Sequence, residues 1–60
     1  MKQWAKNYMK SISEIEAQDE FLEPAERGYV AFLKRQIEKE IAVSSHQAKS
    51  LDEIWRRVCE

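Results

Sequence analysis

His46 and Cys59 are the chain's single histidine and single cysteine, and a thiol beside an imidazole is the one pairing here that makes a nucleophile and its base. Cys59 stands next to the last residue, where a chain frays and holds neither a reactive geometry nor water exclusion, so no nucleophilic centre is expected. One cysteine rules out an intramolecular disulfide. That cysteine and one histidine cannot complete a zinc site without carboxylates, and the carboxylates show no metal spacing. General acid work needs a buried, shifted carboxyl, whereas the acidic residues fall on polar faces. There is no glycine-rich phosphate loop and no Glu-x-x-His pair of the di-iron type. The expectation is a non-enzymatic protein with no catalytic, cofactor or metal residues.

Three stretches carry binding chemistry instead. In "MKQWAKNYMK" bases alternate with aromatics, as in a nucleic-acid or membrane-surface segment. On a helix, however, Trp4 and Tyr8 lie roughly 160–200° from Lys6, which puts rings and lysines on opposite faces instead of one stacking-plus-phosphate surface. The block from Glu14 to Glu26 holds six acids and no base, either a solvated face and turn or a docking patch for a basic surface. Phe21 within it points off the apolar stripe and is expected to pack under the turn against Tyr29 or Phe32. "IWRRVCE" carries the most weight for binding, because Trp and Arg dominate interface energies. Trp55 is nevertheless expected in a core, which two chains could share.

The elements that position these groups follow from periodicity. At roughly 100° per residue, Trp4, Tyr8, Ile12, Ile15 and Leu22 share an arc of about 80°, predicting one helix over 3–22. Ser11 and Ser13, each with a glutamate three residues on, allow a kink or a fresh start there. Pro24 suits a first helical turn and pushes Glu23 out of helical geometry, so the chain breaks at 23. Tyr29, Val30, Leu33, Ile37 and Ile41 form a second stripe and predict a helix over 24–43, antiparallel to the first. That hairpin brings Lys2, Lys6 and Lys10 toward Glu38 and Glu40, and the acidic block toward Arg27, Lys34 and Arg35.

Residues 44–50 admit two readings. Ser50 with Glu53 makes a capping box ahead of Leu51, Ile54, Trp55 and Val58, which favours a break and a short last helix. No Gly or Pro occurs from Ala42 to Lys49, and Val30, Ile37, Ser44, Leu51 and Val58 keep a seven-residue period, which favours a continuous helix of roughly 52 Å. A break or bend near Ser44 to Ser50 is the expectation.

At 60 residues the chain is one domain, residues 1–60, and so short a chain buries only about 60% of its unfolded surface. With one glycine, one proline and 35% charged residues, the composition is that of helices. No apolar run is long enough for a signal peptide or membrane span, so the default location is cytoplasmic with Cys59 reduced. A net charge of -1 gives no general attraction to nucleic acid or acidic membranes.

The fold class expected is therefore all-α: an antiparallel hairpin plus a C-terminal helix, self-associating into a bundle. The function expected is that of an adaptor or inhibitor that binds another protein, as a homodimer. Its interface is expected from Val30, Leu33, Ile37, Ile41, Leu51, Ile54, Trp55, Arg56 and Val58. The alternative is a nucleic-acid-binding dimer presenting Lys2, Lys6 and Lys10, or Lys34, Arg35 and Lys39.

Overall fold

Helix α1, Gln3–Glu16, starts without a side-chain cap and runs unbroken through Ser11 and Ser13. Ser11 lies back along it, its hydroxyl donating to the Asn7 carbonyl at 3.5 Å. All residues, 1–60, are described in this computed structural model. The expected span to residue 22 is too long. Glu14 and Glu16 occupy the last turn with no base among them, a placement that the negative end of the helix dipole disfavours. The chain instead tightens into i→i+3 bonds, Gln18 to Ile15, Phe21 to Gln18 and Leu22 to Asp19, with a 3-10 turn over Asp19–Phe21. Leu22 still reaches the core, 7% exposed, but as an extended residue after that turn.

Pro24 opens helix α2, Pro24–Glu38, as its sequence position requires. The backbone N–H of Glu23 donates to the Glu26 carboxylate at 3.0 Å, closing the entry. The helix stops five residues short of the expected end. Glu40 adopts a left-handed conformation, φ 57°. Its N–H bonds to the Ile37 carbonyl at 2.9 Å, while that of Ile41 bonds to Gln36 at 3.0 Å. Those two bonds form a Schellman motif, built here on a glutamate where glycine is usual.

The break between the second and third helices is therefore real but lies earlier than the sequence suggests. Helix α3 spans Ser45–Cys59 and is capped by Ser44, not Ser50: the Ser44 hydroxyl accepts from Gln47 N–H at 3.1 Å, and the Gln47 side chain accepts from Ser44 N–H at 3.0 Å. A continuous helix would be far longer than the molecule, whose longest dimension is 29 Å.

The three helices pack pairwise into one bundle, each touching both others. The core is wholly apolar: Ala5, Ile12 and Ile15 from α1, Leu22, then Val30, Leu33 and Ile37 from α2, and Leu51 and Ile54 from α3. No buried side-chain polar atom lacks a partner. Ile12, Ile15, Leu33 and Ile37 are fully enclosed, so truncating one to alanine costs about 2–5 kcal/mol, a large share of what holds so small a domain folded.

Candidate protein-binding surface

His46 is exposed in the first turn of α3, and Cys59 is its last residue, so the two sit about 20 Å apart along one helix axis at 1.5 Å per residue. They form no catalytic pair. His46 lies at a shallow hollow with Glu26, Tyr29, Glu53 and Ile54. The Cys59 thiol is half-buried, and burial, followed by the nearby Glu14 carboxylate, pushes its pKa up and disfavours the thiolate. No group of three His, Cys, Asp or Glu side chains converges as a metal site would require.

Most of the acidic block is engaged within the chain. Arg27 Nε donates to Asp19 at 2.8 Å, Lys34 Nζ lies 3.3 Å from Glu16, and Glu14 accepts from the Trp55 indole N–H at 3.0 Å. Arg57 bonds to the Glu26 carboxylate and to the Phe21 carbonyl, the latter at 3.2 Å, tying α3 to the turn ahead of α2. The bond from Glu23 N–H, then that from Arg57, holds the Glu26 carboxyl below the usual glutamate range, against an opposing effect of burial. Arg27 and Lys34 thus meet the acidic end as expected. Lys2, Lys6 and Lys10 form no ion pair with Glu38, the last residue of α2, or with Glu40 beyond it, and Arg35 is likewise unpaired.

The expected interface residues divide into two groups. Val30, Leu33, Ile37, Leu51 and Ile54 are buried in the core of the single chain and offer no surface in this fold. Ile41, stranded beyond the end of α2, is 53% exposed. Trp55 and Val58 are half-buried, and Arg56 is exposed, paired with Asp52 one turn earlier at 2.9 Å. Phe21 does not pack under the turn. Because the chain has left the α1 spiral by that point, its ring is turned outward, 56% exposed.

Two hollows remain at the surface. One, of about 280 Å³, lies between α1 and α3 and is walled by Tyr8 and Trp55, with Ser11, Ala48, Leu51 and Asp52 completing it. Its rings are braced from behind: Trp4 meets Tyr8 edge-to-face, centroids 6.4 Å apart, and Glu14 fixes the Trp55 indole. The other, about 320 Å³, lies at the far end of α2 between Phe32 and Ile41, edged by Arg35, Gln36 and Lys39. The sequence placed Phe32 only as a packing partner for Phe21 under the turn; it is instead 58% exposed, as its position off the stripe of Val30, Leu33 and Ile37 signals.

No protein-family model matches this chain, and neither the curated proteins nor the solved structures contain a match to it.

Proposed function

We propose that the protein is a small non-enzymatic binding module, an adaptor or inhibitor that acts on another protein and associates with itself. The observation that carries the reading is the hollow between α1 and α3. In a bundle whose core is otherwise closed, two half-buried aromatic side chains from different helices wall an open recess, held rigid by an edge-to-face ring and an indole hydrogen bond. Half-buried aromatics beside a partly apolar recess are the setting in which a few residues supply most of the energy of a protein–protein contact. An apolar side chain of the partner protein would fill it.

Ala48→Arg tests this without touching the core, since it fills the recess from the wall of α3 and keeps a good helix former. The variant is expected to melt like the parent and to lose the proteins that the parent captures from its native cells. Capture of the same proteins by both rules the recess out as the binding site.

A second reading, a nucleic-acid-binding dimer, is favoured by one observation: Lys2, Lys6 and Lys10 are exposed with no ion-pair partner. Such binding weakens steeply with salt, and a titration at low ionic strength that shows no shift of RNA or DNA at micromolar protein removes it.

A further inference from the structure

We propose that the outward face of α2 is a self-association surface, on which a second copy of this chain lays its own α2 antiparallel, with each Phe32 ring seated over Gly28 of the other copy. This rests on the binding-module reading and names the surface through which the module pairs.

The inner face of α2 is used up by Val30, Leu33 and Ile37. On the outer face, Gly28, Phe32 and Arg35 are exposed, with exposed Ala25 at its edge beside the α2–α3 hollow and exposed Lys39 at the C-cap, and their spacing of three, four, three and four residues is that of a helix–helix seam. Phe32, at its centre, is 58% exposed, a large ring that its own chain covers only in part. Gly28 is the chain's one glycine, placed mid-helix where glycine is disfavoured. Nothing within the chain requires it there: its φ is not positive, and a Cβ built on it meets no atom within 4 Å.

The ends of the seam carry opposite charge, and this selects the occupant. At the start of α2, Phe21 is exposed between Glu20 and Glu23. At its finish, Arg35 and Lys39 have no ion pair and edge the hollow between Phe32 and Ile41, while Glu38 and Glu40 lie outside that hollow's lining. An apolar ring among acids and an apolar pair among bases, at opposite ends of one helix, match a second copy running the other way. The register that sets Phe32 on Gly28 of that copy also sets its Phe32 on Gly28 here. It carries Lys39 past Pro24 toward the acidic turn that holds Glu20 and Glu23, twice by symmetry. A parallel pairing would face acids with acids and bases with bases. Since the three helices contact one another as a triangle, the recess between α1 and α3 lies on the side away from α2, and a pair joined through α2 presents two recesses outward.

Sedimentation of the full chain from micromolar to millimolar concentration, with Gly28→Leu, Phe32→Ala, Lys39→Glu and the double variant Lys39→Glu/Glu20→Lys, tests the seam. Gly28→Leu places a helix-forming side chain in open space, so its dilute melting temperature is expected to hold or rise while its dimer dissociation constant rises by about tenfold or more. Phe32→Ala is expected to weaken the dimer similarly, Lys39→Glu to weaken it, and the charge exchange to restore it. A parent that stays monomeric at millimolar concentration overturns the proposal. So does a dimer that Gly28→Leu leaves intact. Ala48→Arg separates this seam from the recess, because it is expected to keep the dimer and lose only the heterologous partner. If it keeps that partner but Gly28→Leu abolishes the dimer, the seam stands and the recess falls.

Discussion

The side-chain amides of Gln36 and Gln47 face each other across the link between α2 and α3 and exchange two hydrogen bonds, at 2.9 and 3.0 Å. Gln36 also donates to the Ala42 backbone carbonyl at 2.9 Å, and Gln47 Oε1 also accepts from Ser44 N–H at 3.0 Å. The pair thus ties the end of one helix, the linking segment and the cap of the next helix together. Gln36→Ala removes all of Gln36's part in this and leaves the half-buried Gln47 side-chain N–H group without its partner, so a loss of about 1–2 kcal/mol is expected in urea denaturation.

Ser44 and Ser50 make a paired test of where α3 begins. Ser44→Ala deletes the observed cap and is expected to cost about 1 kcal/mol, whereas Ser50→Ala, inside the helix, is expected to change stability by less than about 0.5 kcal/mol. Thermal melts of the two variants side by side decide it. Equal losses would place the cap elsewhere.

Glu40 carries the left-handed turn that ends α2, φ 57°, a conformation that glycine adopts without a Cβ penalty. Glu40→Gly is therefore expected to stabilise the chain by about 0.5–1 kcal/mol, and a β-branched residue such as Val to destabilise it by more. Denaturant midpoints at neutral pH measure both.

Glu26 has a pKa held below that of an unfolded glutamate by its bonds from Glu23 N–H and Arg57. Its charged form therefore favours the fold, fully so at pH above the unfolded value of about 4.3, and that contribution is lost as pH falls through the lower, folded value. Glu26→Gln is expected to lower the melting temperature at neutral pH and to flatten its decline into acid. A parallel decline in parent and variant would remove Glu26 from the acid response.

The Cys59 thiol, its pKa raised by burial and by Glu14, is expected to alkylate several-fold more slowly in the folded chain than in denaturant at neutral pH. Because the unfolded thiol ionises first, the contribution of this group to stability is intact below the ordinary thiol value of about 8.5 and is lost as pH rises from there through the higher folded value. Iodoacetamide labelling followed by mass spectrometry reads the first effect. Equal rates in both states would show an open, unshifted thiol.

What the sequence determined by itself is what local pattern can specify. The apolar spacing of Ile12 and Ile15, of Val30, Leu33 and Ile37, and of Leu51 and Ile54 requires amphipathic helices, and Pro24 requires a break before it, whatever surrounds them. Arg27 and Lys34 found acidic partners because a short link leaves two helices no arrangement but antiparallel. Only the tertiary structure decided where α2 stops, which serine caps α3 and which apolar residues close into one core. A glutamate in left-handed geometry is locally unfavourable by about 1–2 kcal/mol, so local signals argue against a turn at Glu40. Folding α3 back buries Leu51 and Ile54, worth roughly 1.5–3 kcal/mol each, and that outweighs the strain. The same long-range balance leaves Phe21, Phe32 and Ile41 outside, and a stripe read from one strand of sequence cannot tell a core from a surface left for another chain.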